Sequence, residues 1–249
     1  MKTWFKRVVL GKILFPLTTG FLCAGTANRQ LYSHYGVPNN KLIPFAYSWG
    51  YKEFAKESED LRSQKADLRQ RFGVPQDATV ILYCGRFSPE KGLMELLQAY
   101  NQVTNTKKAL VVVGDGPLQD QIQDFAVSHK IESIYLMGFQ NRMDLGKFYA
   151  LADIFVLPSL RETWGIVVNE AMCFGLAVMV SEQVGAGVDL VIDGKNGYRV
   201  NTSDFDNLVM TMQRLVDQTD LEMSMMASQS TMLIKDWFQR DLAESLIED

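Results

Sequence analysis

The chain has 249 residues, of which 47% are hydrophobic and 22% charged, and its formal net charge is −4. This composition is typical of a globular protein, and the lack of a basic excess argues against nucleic-acid binding. Three widely spaced cysteines and two histidines are too few for a disulfide framework or a His-based metal site, so we expect a reducing, cytoplasmic setting and no metal.

The first 27 residues have a basic start and an apolar middle, an outline that resembles a signal peptide. Lys12 interrupts the apolar run, which is also too short to span a bilayer. A structural element is therefore favoured, with a signal peptide and a membrane-surface segment as alternatives. Weak peripheral contact with an anionic membrane would use the basic side chains Lys2, Lys6, Arg7 and Lys12.

Residues 1–50 show a pattern of their own. They read as a helix, a strand at 20–25, a helix at 26–36 and a strand at 42–47, with a turn around Pro38. This piece is too small to be a complete α/β domain. We predict that it is the end of another domain together with a linker.

From residue 79 onwards, short apolar runs alternate regularly with amphipathic segments. The runs predict six buried strands, at 79–85, 109–116, 134–139, 154–159, 176–181 and 197–200. The segments between them predict helices at 92–103, 117–130, 143–151, 165–174 and 188–192. Continuous apolar strands separated by helices indicate a six-stranded parallel sheet in a doubly wound α/β domain, which we assign to residues 51–233.

Beyond the last strand, the sequence predicts a helix that extends to about residue 217 and is capped by Thr202 or Ser203. The Asp-Phe-Asp sequence at 204–206 could be a metal-binding motif, but acidic residues are favoured in the first turn of a helix, so we expect capping. Residues 234–249 form a separate C-terminal helix in this prediction.

The loops that follow the strands carry the residues suited to chemistry, because ligands of doubly wound sheets bind at the carboxyl ends of the strands. The loop "GRFSPEKG" (85–92) carries Arg86 and Lys91, and "PSLRETWG" (158–165) leads into a helix near Gly165. Two cations and the N–H groups of a helix N-terminus suit a diphosphate. The chain has neither a P-loop nor a Gly-x-Gly-x-x-Gly sequence after the first strand.

Two glutamates lie eight positions apart in this region. Glu162 precedes a Thr-Trp-Gly turn, whereas Glu170 lies within an apolar run. A buried carboxylate without a partner is costly, so Glu170 must face solvent or have a hydrogen-bond partner.

Taken together, "GRFSPEKG", "VVVGDGPL", "YALADIFVLPSLRETWGIVVNEAMCFGLAVMVSE" and "GAGVDLVIDGKNGYRV" resemble the C-terminal lobe of the family-4 retaining glycosyltransferases, which have the GT-B fold. Glu162 and Glu170 match the Glu-x7-Glu motif of that family. The resemblance covers about residues 20–249 and implies a Rossmann-like donor-binding lobe. Residues 1–50 would then be a remnant of the N-terminal, acceptor-binding lobe, and the last helix would cross back to that lobe.

The resemblance also implies roles for individual residues. Glu170 would accept hydrogen bonds from a ribose, Glu162 would face the transferred sugar, and Arg86 and Lys91 would hold the diphosphate in place of a metal. Other donor contacts would come from Gly85, Gly114, Gly116, Phe139, Thr163, Trp164, Gly165 and Ile166. For Gly114 and Gly116, turn formation and close approach of a nucleotide are both open explanations.

The function expected from this resemblance is the transfer of a hexose from a nucleotide-diphosphate sugar to a glycan or lipid-linked acceptor, with retained configuration and no cofactor or metal. The alternatives are a non-catalytic sugar-nucleotide-binding subunit that needs a partner lobe, and a sugar-nucleotide epimerase of GT-B architecture. A two-carboxylate glycosidase is disfavoured because it needs no diphosphate site. The apolar faces of residues 4–15 and 233–248 predict self-association or a partner chain.

Overall fold

The computed structural model describes residues 9–46, 51–131 and 133–239. The described parts of residues 1–49 and 236–249 form one compact unit, and residues 50–235 form another. The predicted basic start of the chain and most of the predicted helix at 234–249 lie outside the described residues. The origin of residues 1–50 as a remnant of another lobe remains a prediction.

The N-terminal unit contains a β-α-β arrangement, as its sequence pattern predicts. Strand β1 (Phe21–Cys23) pairs in parallel with β2 (Leu42–Pro44), and helix α1 (Thr26–His34) connects them. A π-helical turn at Val9–Leu14 comes before this arrangement. A small core of buried residues holds the unit together, consisting of Phe21, Cys23, Val37 and Leu42 with Phe15 and Tyr32 packed against them.

The larger unit begins with two helices, α2 (Tyr51–Leu61) and α3 (Lys65–Arg71), and then alternates strands with helices. Its strands are β3 (Thr79–Cys84), β4 (Lys108–Val113), β5 (Ile134–Gly138), β6 (Ile154–Leu157), β7 (Ala177–Ser181) and β8 (Gly197–Val200). Its remaining helices are α4 (Leu93–Gln102), α5 (Gln119–Ser128), α6 (Arg142–Leu151), α7 (Ile166–Cys173), α8 (Gly185–Leu190), α9 (Phe205–Val216) and the part of α10 (Asp220–Gln239) up to residue 235.

The six strands of the larger unit form one sheet in the order β5-β4-β3-β6-β7-β8, and all neighbouring strands are parallel. When the six strands are numbered 1 to 6 along the chain, starting from β3, the order is 3-2-1-4-5-6, which is that of the doubly wound Rossmann fold. The central strands β3, β4 and β6 are almost entirely buried because helices cover both faces of the sheet. The predicted fold class and the number of strands are confirmed, and the strand order reverses between β3 and β6.

The starts of α8 and α9 differ from the prediction for reasons that the structure shows. Helix α8 begins at Gly185 rather than at residue 188, because the Ala186 N–H donates to the Trp164 carbonyl (2.9 Å) and so fixes the first turn. Helix α9 is capped by Asp204, not by Thr202 or Ser203, since the Asp204 carboxylate accepts the Asn207 N–H at 3.0 Å. The Asp-Phe-Asp sequence therefore has the capping role that was expected of it.

Helix α10 is the longest helix among the described residues. Its sequence mixes apolar residues with Asp, Glu, Ser and Gln. No helix in the described ranges combines the length and the apolar character needed to cross a bilayer.

Candidate functional site

The loops after β3 and β6 lie side by side at the point where the strand order reverses. Gly92, at the end of the first loop, adopts a φ of +68°, and a Cβ there would lie 2.2 Å from the Pro158 carbonyl oxygen. The Leu160 N–H donates to the Glu90 carbonyl at 2.8 Å. The close approach requires glycine at position 92, and it brings the cations of one loop to the carboxylate of the other.

Lys91 and Glu162 form an ion pair across these two loops. The Lys91 Nζ lies 2.5 Å from the Glu162 Oε2, and the two side chains are only 24% and 15% exposed. The Glu162 backbone also forms a parallel bridge with Val184. The structure thus brings together two residues that the sequence assigned to the diphosphate and the sugar, and pairs them with each other.

Arg86 presents an exposed cation on the same loop as Lys91. Its backbone carbonyl accepts the hydroxyl of the buried Tyr83 at 3.0 Å, which holds the loop against the end of β3. Its guanidinium is exposed and has no hydrogen-bond or ion-pair partner among the described residues. The cation is therefore available to an anionic ligand.

The N-terminus of α7 provides hydrogen-bond donors on the second loop. Gly165 precedes the helix with a φ of +92°. Within the described part of the chain, the N–H groups of Gly165, Ile166 and Val167 have no acceptor. The first N–H groups of a helix carry a partial positive charge, so this end of α7 favours an anion.

The turn before α7 is held from several sides. The indole Nε1 of the buried Trp164 donates to the Asn169 Oδ1 at 3.1 Å. A Cβ on Gly185 would lie 2.1 Å from the carbonyl oxygen of Thr163, whose side chain is exposed. The backbone of residues 163–166 is thereby fixed before any ligand is bound.

Glu170 is buried in α7, and its partner in this structure is Tyr149 of α6. The Tyr149 hydroxyl donates to the Glu170 Oε2 at 2.7 Å, and both residues are buried. Burial raises the pKa of Glu170, while the Tyr149 hydrogen bond and the positive charge of Arg142 act in the opposite direction. Sequence reasoning missed Tyr149, because it lies 21 residues from Glu170 and reads as an ordinary core aromatic.

The glycines after β3 and β4 pack backbone against backbone. A Cβ on Gly114, whose φ is +138°, would lie 1.9 Å from the Gly85 carbonyl oxygen, and a Cβ on Gly116 would lie 2.6 Å from that of Phe87. Close packing of the two loops requires both glycines, a reason that differs from the turn formation and the nucleotide approach expected from the sequence. Their contact with a nucleotide stays a prediction.

Phe139 is the predicted site residue farthest from the Lys91–Glu162 pair in sheet order. It follows β5, which is separated from β3 by β4, and its side chain is 67% exposed. Phe139 therefore lies at the same edge of the sheet, two strands away from the loop that carries Lys91.

Residues 64–231, more than half of the chain, match the family model described as "Glycosyl transferases group 1". The chain belongs to the glycosyl transferases group 1 family. The matched range includes the whole six-stranded sheet and every candidate site residue of this group 1 chain.

Two curated relatives of this group 1 chain are named for a lipopolysaccharide and for a glucosyl lipid. The lipopolysaccharide 1,2-N-acetylglucosaminetransferase of Salmonella typhimurium is 36% identical over 151 residues, which are 56% of this chain and 39% of that protein. The alpha-monoglucosyldiacylglycerol synthase of Acholeplasma laidlawii is 29% identical over 161 residues, 61% of this chain and 39% of that protein. These matches span about two fifths of each relative.

Solved structures share the fold of this group 1 chain. HepE of Anabaena, crystallised with UDP and glucose, superposes with a TM-score of 0.77 over 97% of this chain and 66% of its own, at 20% sequence identity. A group 1 glycosyltransferase C-terminal domain from Francisella tularensis matches with a TM-score of 0.62, covering 70% of this chain and 92% of that domain at 19% identity. At this level of identity the similarity concerns the fold, which is the GT-B arrangement.

Proposed function

We propose that this chain supplies the donor-binding lobe of a retaining, family-4 type glycosyltransferase. It would transfer a hexose from a nucleotide-diphosphate sugar to a glycan or lipid-linked acceptor. The observation that carries the proposal is the Lys91–Glu162 pair, on a loop that also carries the exposed Arg86, at the strand-order reversal where doubly wound sheets bind ligands. The names of the two curated relatives support the acceptor classes.

In this proposal the diphosphate binds between the two loops. Arg86 and Lys91 neutralise its charge in place of a metal, and the N–H groups of Gly165 and Ile166 donate to its oxygens. These groups are held in position by the backbone packing between the loops. Donors that are fixed in advance stabilise the charge that develops on a leaving diphosphate without reorganisation.

The two glutamates recognise the two sugars of the donor. In the ligand-free chain, Glu162 keeps Lys91 oriented. Once Lys91 contacts phosphate, Glu162 accepts hydrogen bonds from the hydroxyl groups of the transferred sugar. Glu170, on the rigid α7, accepts ribose hydroxyls, because an ionised carboxylate is an acceptor only. The base would pack near Phe139, with Gly85, Gly114, Gly116, Thr163 and Trp164 shaping the pocket.

The reaction needs no protein nucleophile in this scheme. An acceptor hydroxyl oxygen bonds to the anomeric carbon on the face from which the diphosphate departs, and the bond from that carbon to the phosphate oxygen breaks. The acceptor proton passes to the departing diphosphate, so the products are a glycoside and a nucleoside diphosphate. We assign acceptor binding to a second lobe, as the family resemblance implies.

The experiment that tests the proposal is calorimetric titration of the purified chain with UDP, GDP and ADP, with the matching nucleosides and with nucleotide sugars. We expect one nucleotide to bind and Arg86→Ala to weaken its diphosphate form about tenfold more than the nucleoside, since it removes a charge-assisted hydrogen bond. Glu170→Ala is expected to weaken both forms, because both contain the ribose.

Arg71→Ala is the matched control. Like Arg86, Arg71 is an exposed arginine. It is the last residue of α3, which precedes the amino end of β3, and its guanidinium lies over the Phe72 ring. Its removal should leave all affinities unchanged. Equal losses of diphosphate and nucleoside binding in Arg86→Ala would overturn the diphosphate assignment, and a folded chain that binds no nucleotide would overturn the donor-site proposal.

A further inference from the structure

We infer that Tyr149 is a positioning residue of the donor site, whose hydroxyl holds the Glu170 carboxylate in the orientation that accepts the ribose hydroxyls. The inference rests on the proposed function and goes beyond it, because Tyr149 itself would touch no substrate. Two features carry it: the way in which the Tyr149 ring is fixed and the way in which its hydroxyl meets Glu170.

Three aromatic neighbours fix the ring of Tyr149. Phe174 stacks on it with ring centroids 5.6 Å apart and an interplanar angle of 27°. Phe54 meets it edge-on at 6.2 Å, and Phe155 of β6 lies at 6.1 Å. Tyr149 itself has no exposed surface. A ring held in this way has one orientation, so its hydroxyl is a fixed donor rather than an adaptable one.

The hydroxyl of Tyr149 fixes one oxygen of Glu170. Among the described residues, Tyr149 is the only hydrogen-bond partner of the Glu170 carboxylate. A carboxylate has about four lone-pair sites, and Tyr149 occupies one of them on Oε2, which leaves Oε1 for a ligand. A carboxylate side chain with one oxygen held has lost most of its rotation before the ligand arrives.

The same contact places Glu170 relative to the rest of the site. Glu170 lies on α7, the helix whose first N–H groups are assigned to the diphosphate. Tyr149 lies on α6, so its hydroxyl reaches Glu170 from a different element of the fold. The hydroxyl therefore fixes the Glu170 carboxylate relative to α6 as well as to its own helix.

The test compares ribonucleotides with their 2′-deoxy counterparts. UDP, GDP and ADP and the three 2′-deoxy forms are titrated into the wild-type chain and into Tyr149→Phe, which keeps the ring. We expect the wild-type chain to prefer the ribonucleotide, and Tyr149→Phe to reduce that preference about tenfold, as for the loss of a hydrogen bond to a charged group. Affinity for the 2′-deoxy form should change much less.

Tyr100→Phe is the matched control, and Glu170→Gln completes a double-mutant cycle. Tyr100 is also fully buried, but its hydroxyl bonds to Ser133, which lies just before β5 at the opposite edge of the sheet. Its loss should lower thermal stability without changing the preference for the ribonucleotide. In the Glu170→Gln background, Tyr149→Phe should reduce that preference less than in the wild type, because the hydrogen bond no longer involves a charged group.

The outcomes separate this inference from the proposed function. A folded wild-type chain that binds no ribonucleotide would overturn the proposed donor site. Ribonucleotide binding with the same preference in Tyr149→Phe as in the wild type would overturn the role of Tyr149 alone, and a change in melting temperature without a change in preference would mean a purely structural tyrosine.

If the Tyr149→Phe variant does not fold, a second measurement tests the inference in the otherwise unchanged chain. 3-Fluorotyrosine is introduced at position 149 alone, and its fluorine resonance is followed by NMR during the titrations. We expect a larger shift on addition of the ribonucleotide than of the 2′-deoxy form. Identical shifts with the two ligands would contradict the inference.

Discussion

Strand β6 is flanked by two carboxylates, Asp153 immediately before it and Glu162 in the loop after it, and they are used in different ways. Asp153 lies at the amino edge of the sheet and accepts three donors. These are Lys65 Nζ at 2.5 Å, Arg69 at 2.7 Å and the Val80 N–H at 2.7 Å. Arg69 is itself buried and donates to the carbonyls of three further residues, Leu151, Gln76 and Ala78.

Glu162 lies at the carboxyl edge and has a single side-chain partner, Lys91, among the described residues. Arg86, on the same loop as Lys91, has none. The comparison shows how the same ionic chemistry serves two purposes. A cluster whose acceptors are all occupied by the chain holds the fold, whereas a pair with unused hydrogen-bonding capacity can exchange partners with a ligand.

The largest effect is expected at the amino edge. Asp153→Ala should destabilise the fold by about 3–5 kcal/mol, because it leaves the buried Arg69 without its counter-charge. Chemical denaturation of the variant and the wild type measures this difference. The matched control is Asp77→Ala, which breaks an exposed pair with Lys107 and should stay within about 0.5 kcal/mol. A similarly small loss in Asp153→Ala would remove the distinction between the two edges.

At the carboxyl edge, Glu162→Gln should alter binding more than stability. Glutamine keeps an oxygen that can accept from Lys91, so the free energy of unfolding should change less than in Asp153→Ala. Affinity for the nucleotide sugar relative to the bare nucleoside diphosphate should fall about tenfold, since only the sugar meets Glu162 in the proposed site. Calorimetry with both ligands tests this, and an unchanged ratio would contradict the sugar-binding role.

The smallest expected effect concerns the pH dependence of Glu170, the third carboxylate of this region. Burial raises its pKa, the Tyr149 hydrogen bond and Arg142 oppose the rise, and Glu57 adds to it. The ionised form is the ribose acceptor, so the preference for a ribonucleotide over its 2′-deoxy form should weaken as pH falls. The loss should begin above the ordinary glutamate pKa of about 4.3.

The raised pKa of Glu170 affects folding stability in the opposite direction, because it favours the folded state at low pH. A carboxyl whose pKa is higher in the folded state favours folding at low pH, and this contribution is lost as pH rises through the folded pKa. Glu170→Gln should therefore flatten both profiles. A preference that falls only near the ordinary glutamate pKa would show that burial does not govern Glu170 in the binding site.

The sequence determined the architecture because its signals are local and repeated. Apolar runs such as 80–84 and 109–113, separated by amphipathic segments, are typical of strands in a parallel sheet that helices cover on both faces. The positions of Arg86, Lys91 and Glu162 after strands also placed them at one edge, since parallel strands share their carboxyl ends. The start of α8 was misplaced because contacts with the distant Trp164 turn define it.

Tertiary structure alone decided which of these residues touch. Lys91 and Glu162 are 71 positions apart, and Tyr149 and Glu170 are 21 positions apart. In neither pair does the local sequence around one residue indicate its partner. The contact of Gly114 with Gly85 likewise depends on the pairing of β3 with β4. Periodicity encodes which face of an element is buried, but the partner of a polar side chain depends on strand order and register, which appear only when the whole sheet is assembled.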